Sequence, residues 1–284
     1  MKEKLLTTLT LALSTAALAH AGHGSAATFT LTGKDAAFTL AGPTSVAPGY
    51  TSFAFSNTTE QPFTPVVARL KSSVSDTDVK AALSALMASH GEDMSAIEKI
   101  AEFAGGSGGV MPGSTFQFGT NLTPGRYVVF GFGASEDGKA LYDLGQYRSF
   151  DVTGAASGVK APQANVKVTL QEYKVVLPAT VKAGKQVWQV SNAGQETHHL
   201  MLMRIKDGKT MKDVEAFFKA ADPSQAGEPP FEDAGGLETI SKGRSAFVSF
   251  DLAPGEYVVA CFLPSAKQHA PHFMLGMMTG LNVK

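Results

Sequence analysis

The stretch Pro48-Gly49-Tyr50-Thr51-Ser52-Phe53-Ala54-Phe55-Ser56-Asn57 returns 135 residues later as Ala183-Gly184-Lys185-Gln186-Val187-Trp188-Gln189-Val190-Ser191-Asn192. Each is a short β-like run that follows a Gly turn and ends on Ser-Asn. The segments that follow repeat as well. Val66-Val67-Ala68-Arg69-Leu70 corresponds to Met201-Leu202-Met203-Arg204-Ile205 at the same offset. Leu122-Thr123-Pro124-Gly125-Arg126-Tyr127-Val128-Val129 corresponds to Leu252-Ala253-Pro254-Gly255-Glu256-Tyr257-Val258-Val259 at an offset of 130. Phe150-Asp151-Val152 corresponds to Leu281-Asn282-Val283 at 131. Constant order at a nearly constant offset identifies a tandem duplication. The small-residue run Gly154-Ala155-Ala156-Ser157-Gly158 separates the copies. One domain is therefore expected over 27–153, a linker over 154–164 and a second domain over 165–284.

Composition agrees with a β-rich chain. Of 284 residues 44% are hydrophobic, enough to build cores, while only 17% are charged, and Gly 29 with Pro 14 supplies many turns. The 24 basic and 25 acidic residues leave a net charge of −1, which argues against nucleic-acid binding. Lys2 and Lys4 precede an apolar run from Leu5 to Leu18, followed by small-x-small steps at Ala17-Leu18-Ala19 and Ala19-His20-Ala21. This is the pattern of an export leader over residues 1–21, cleaved near Ala19 or Ala21, with a periplasmic or secreted mature protein. The run is too short to span a membrane as a helix of ~20 residues. The single cysteine, Cys261, can form no intrachain disulfide, and in an oxidising compartment it calls for burial or ligation.

Val166–Leu170, Val187–Val190, Leu200–Ile205, Ala246–Leu252 and Tyr257–Phe262 read as strands separated by turn formers. A helical insert interrupts each copy. In the second, Thr210 caps a helix through Ala220 with Val214, Phe217 and Phe218 on one face; in the first, two short helices are expected between Ser75 and Phe103. Many short strands at even spacing predict an antiparallel β-sandwich for each copy.

Chemistry concentrates in the second copy. His198 opens a strand, Cys261 closes another, and His272 and Met277 follow in Pro271-His272-Phe273-Met274-Leu275-Gly276-Met277. A His from one strand end, then Cys, His and Met near the C-terminus, is the order of a trigonal His₂Cys site with a weak axial Met. His199 competes with His198, but alternation gives His198 the parity of Leu200 and Leu202, which should face the core. Met274 is the alternative to Met277. His269 is the alternative to His272, without a Met five residues beyond it.

Here the sequence resembles the cupredoxin family, the blue-copper domains of the plastocyanin, azurin and nitrite reductase type. Asn192-Ala193-Gly194 before His198 and the step from His272 to Met277 carry the resemblance, which extends over most of the second copy and, without ligands, over the first. The ten residues between Cys261 and His272 exceed what small electron carriers of the family use. The resemblance implies an all-β chain of two tandem Greek-key cupredoxin-like β-sandwiches. It further implies one type 1 copper held by His198, Cys261, His272 and Met277, and one-electron transfer to a redox protein partner or copper handling.

The duplication supplies an internal comparison. By offset His198 corresponds to Phe63, Cys261 to Gly131, His272 to Leu141 and Met277 to Gln146, so all four residues differ together while the surrounding scaffold repeats. A multicopper oxidase would need a His-Cys-His run, whereas Cys261 lies between Ala260 and Phe262, so no enzyme activity is expected. The competing expectation is a metal-free cupredoxin-like structural or partner-binding module of the cell envelope. Weaker signals are His20 with His23 near the new N-terminus, the glycosylation pattern Asn57-Thr58-Thr59, and Glu92, Asp93, Glu98 and Glu102 as one solvated helix face.

Overall fold

A computed structural model describes residues 25–34, 37–135, 137–220 and 227–284. The leader, with His20 and His23, lies outside the described residues. The first copy comprises β1 (Ser25–Lys34), β2 (Ala37–Ala41), β3 (Ser45–Val46), β4 (Gly49–Asn57), β5 (Pro65–Leu70), β6 (Ala101–Gly106), β7 (Thr115–Leu122), β8 (Gly125–Gly131) and β9 (Tyr147–Val152). Helices α1 (Asp76–Ala88) and α2 (Ser95–Ile100) intervene between β5 and β6. The second copy comprises β10 (Val166–Gln171), β11 (Lys174–Val176), β12 (Thr180–Val181), β13 (Gly184–Asn192) and β14 (His198–Ile205). After helix α3 (Met211–Lys219) come β15 (Phe231–Ile240), β16 (Ser245–Leu252), β17 (Gly255–Ala260) and β18 (Met278–Val283).

The strands form two sheets, and both run through both copies. One has the order β11-β10-β13-β16-β7-β4-β1-β2 and the other β12-β18-β17-β14-β15-β6-β5-β8-β9-β3. Since β10 to β18 repeat β1 to β9, each order is a palindrome about its middle. The seams are β16 on β7, with Val248 opposite Phe118, and β15 on β6, with Ile240 opposite Ala104. Phe118 and Val248 are equivalent at the offset of 130, so a pseudo-twofold axis passes between them. The two tandem sandwiches share their sheets at these seams, which removes four open strand edges.

The sheets are also mixed rather than purely antiparallel. β1 runs parallel to β4, and β10 to β13, because the chain crosses to the opposite sheet through β3 or β12 before returning. Between the sheets lies one core in which Phe29, Phe53, Phe55, Phe118 and Phe150 stack in the first copy and Trp188 meets Phe250 in the second. The helices cover the outer faces. In α1 the stripe Val79, Ala82, Leu83, Leu86 is buried at helical spacing, and Ser75 caps it through a reciprocal bond with Asp78. In α3 the Thr210 N–H donates to the Asp213 carboxylate at 2.7 Å, and Val214 is buried. The first insert ends earlier than predicted: α2 stops at Ile100, and Phe103 belongs to β6. Pairing of Ala101–Gly106 with β5 outweighs the local helical pattern there.

Equivalent asparagines end β4 and β13. The Asn57 Nδ2 donates to the carbonyls of Gln61 (2.7 Å) and Val110 (2.8 Å), and its Oδ1 accepts from Thr59 N–H. The Asn192 Nδ2 donates to Glu196 (2.8 Å) and Ile240 (2.9 Å), and its Oδ1 accepts from Gly194 N–H. Asn57 is fully buried with both amide protons committed, so Asn57-Thr58-Thr59 is no glycan acceptor in the folded chain. Replacing either asparagine by Ala removes two bonds to backbone carbonyls and one from a backbone N–H, at a cost of roughly 2–4 kcal/mol. Urea unfolding of Asn57→Ala and Asn192→Ala is expected to show similar losses for the two variants.

Candidate metal centre

The loop pinned by Asn192 delivers His198 to the start of β14. Pairing of β14 with β17, Met201 opposite Ala260, brings Cys261 to the same end of the sandwich. His272 opens a 3-10 turn, His272–Leu275, that leads back into β18. The His198 Nδ1 lies 3.1 Å from the His272 Nδ1, and the Cys261 Sγ 3.4 Å from that same nitrogen. All three donors lie within 4.8 Å of one another and none of the residues is exposed.

Met277 is fully buried beside them in the main core. Its N–H donates to the His272 carbonyl (2.9 Å) and its carbonyl accepts from the Cys261 N–H (3.0 Å). Met274 is 60% exposed. His199 does not join the donor group. A bulge between His198 and Leu200 sets it apart, and its Nε2 accepts from the Phe262 N–H at 2.7 Å. Its own backbone N–H donates to the Cys261 Sγ at 3.4 Å. His269 is exposed and lines a separate cleft.

The first copy keeps the scaffold and loses the donors. The Gly131 N–H donates to the Gln146 carbonyl, and the Gln146 N–H to the Leu141 carbonyl, repeating the bonds around Cys261, Met277 and His272. Phe63, Leu141 and Gln146 fill that end of the core. A Cβ on Gly131 would fall 2.0 Å from the Gln146 Oε1, so no cysteine fits there as the site stands.

Two-sheet sandwiches that bring His, Cys, His and Met together at one end decide the class. The fold is cupredoxin-like. No family model and no curated protein matches the chain. Among solved structures, auracyanin B is similar over 45% of this chain and 95% of its own, at 20% identity and TM-score 0.28. A dithionite-reduced auracyanin from Roseiflexus castenholzii is similar over 42% and 94%, at 17% identity and TM-score 0.29. A multicopper oxidase is similar over 91% and 88%, at 12% identity and TM-score 0.25.

The donor set fits one type 1 copper ion: thiolate and imidazoles in a buried trigonal group, with a thioether in the adjoining core. Protonation fits as well. Burial pushes the Cys261 thiol up to about 12 and His198 down to about 4, His198 being lowered further by His272. Burial likewise lowers His272, against the pull of Glu196. At neutral pH both imidazoles are therefore uncharged, and the thiol is the one donor that must release a net proton to an incoming cation.

Sequence reasoning missed the carboxylates around this group. Glu172, in a two-residue turn, carries no signal; Glu196, two residues before His198, shares its strand-end parity. It also misread the acidic run. Glu92 and Asp93 lie between α1 and α2, Glu98 is on α2 and Glu102 on β6, so the four share no helix face. Glu98 accepts from the Thr197 hydroxyl and Glu102 pairs with Arg244 at 3.3 Å, tying the copies together. These acids line a cleft of about 950 Å³ whose other wall includes Glu196, Lys242 and Lys267.

Glu238 on β15 is a further missed group. Its side chain is 12% exposed, 4.0 Å from the His199 Nδ1, and burial raises its carboxyl to about 7. A raised carboxyl favours folding below the ordinary carboxylate range and loses that contribution as pH rises through about 7. Glu238→Gln removes the dependence. Its stability relative to wild type should increase by roughly 2–3 kcal/mol between pH 5 and pH 8. Urea midpoints at the two pH values check this, and a gap independent of pH would contradict it.

Proposed function

We propose that the chain is an exported one-electron carrier with a single type 1 copper. His198, Cys261 and His272 are its equatorial ligands and Met277 its axial one. One observation carries this reading: two imidazole Nδ1 atoms and one thiol converge in a fully buried group whose equivalents in the sister copy are Phe63, Leu141 and Gly131. Copper bound there would supply a reversible Cu(II)/Cu(I) couple.

The chain's own residues supply the constraints that such a couple needs. The His199 N–H holds the Cys261 sulfur and the Phe262 N–H is in turn held by the His199 ring, so the thiolate has one orientation. The backbone bonds between Cys261, Met277 and His272 tie three proposed ligands to one another. A site held this rigidly from the protein side changes little between oxidation states, which favours fast electron transfer. Burial of every donor closes the centre to substrates and supports a carrier over an oxidase. Export rests on the leader pattern; among the described residues no helix is long and apolar enough to cross a membrane. The first copy, 27–153, serves as a structural or docking unit that provides one wall of the cleft beside Glu196.

One equivalent of Cu(II) should give an intense thiolate-to-copper band and a narrow copper hyperfine splitting. Repeated reduction and reoxidation should leave the metal bound, which separates a carrier from a copper-delivery protein. Cys261→Ser should fold and lose the colour; a coloured variant would sink the assignment. Met277→Gln should keep colour and shift the couple to lower potential, and an unchanged potential would reject Met277 as the axial group.

A further inference from the structure

Both ligand imidazoles turn their second nitrogen toward a glutamate. The His272 Nε2 donates to the Glu196 Oε2 at 2.8 Å, and the Glu196 side chain is only 10% exposed. The other Glu196 oxygen accepts from the Ser265 hydroxyl at 3.1 Å, which is paired with the Tyr173 hydroxyl at 2.9 Å. The Tyr173 ring meets the His272 ring edge-on at 5.5 Å.

On the other side the His198 Nε2 is buried with no hydrogen-bond partner, and the Glu172 Oε1 is the nearest carboxylate, at 3.9 Å. The N–H groups of Gln195 and Glu196 fix that oxygen in place. Gly194 closes the loop over the pair: a Cβ there would lie 2.6 Å from the Glu172 Oε1 and 2.8 Å from the His198 Nε2. Because the Glu196 N–H binds Glu172 while its carboxylate binds His272, the two acids and two imidazoles form one connected unit.

The sister copy again serves as a comparison. Leu31 pairs with Asn57 as Leu170 pairs with Asn192, so Glu172 corresponds to Gly33, and the offset of 135 makes Gln61 the counterpart of Glu196. Neither carboxylate exists where the ligands do not.

Building on the copper reading above, we propose that Glu172 and Glu196 are positioning residues that bias the centre toward Cu(II). The Glu196 carboxylate on the His272 Nε2–H keeps that ring's Nδ1 lone pair turned toward the sulfur and makes the imidazole a stronger donor, while Glu172 acts on His198 through its charge alone. Two carboxylates beside the centre, Glu196 largely buried and Glu172 partly so, also favour the more highly charged ion. Both effects stabilise Cu(II) over Cu(I) and poise the protein as a reductant of its partner.

The test compares copper-loaded full-length wild type, Glu196→Gln and Glu172→Gln by spectroelectrochemical titration. Both variants should bind one copper with the thiolate band retained. In each, the Cu(I) to Cu(II) affinity ratio should rise tenfold or more, ~59 mV for a one-electron couple. A ratio within twofold of wild type in both variants would overturn the proposal. If Glu196→Gln fails to fold, Glu172→Gln decides alone by the same criterion. A wild-type protein without the band would remove the copper reading, and the proposal with it, before any variant is compared.

Discussion

Antiparallel pairing of β14 with β17 is the constraint on which the site depends. In the register Met201 to Ala260, the start of one strand meets the end of the other, so His198 and Cys261 face each other across the sandwich end. The bond from the Cys261 N–H to the Met277 carbonyl then fixes how the last loop returns, bringing His272 to the remaining side. A one-residue slip of β14 would exchange His198 for His199 and turn a donor away from the core. Asn192 guards against that slip by binding both the loop before β14 and the end of β15.

The same scaffold bonds exist in the first copy around Gly131, Gln146 and Leu141. The fold therefore does not require metal ligands, and their presence in one copy alone needs a separate cause. Metal binding is that cause in the reading proposed here, and the carboxylates behind the imidazoles extend it. The first copy has another use. By sharing both sheets with the second it supplies the seams, and its Glu98 and Glu102 reach across to Thr197, just before β14, and to Arg244.

The repeat made the strands and their equivalences legible, because strand alternation and Gly or Pro turns are local signals. The parity of His198 with Leu200 and Leu202 agrees with its place beside Cys261 and His272, although His199 is buried as well. What the sequence left hidden is long-range. Nothing in Phe118 or Val248 announces that they pair across a pseudo-twofold axis, and the parallel pairs arise from sheet crossings that only the assembled sandwich shows. Phe103 was read as helical since its pairing with Ala68 is invisible locally. Glu172 approaches His198 only through the turn between β10 and β11, and Glu238 lies at the seam against Gly106 of the first copy.

The central claim is that His198, Cys261 and His272 hold one copper through their inward-facing atoms. A crystal structure of the copper-loaded protein, with anomalous data at the copper edge, tests it most directly. The account predicts a single peak bonded to both Nδ1 atoms and the Cys261 Sγ, with Met277 alongside and each Nε2 directed at its glutamate. Copper found elsewhere, or ligation through Nε2, would contradict it.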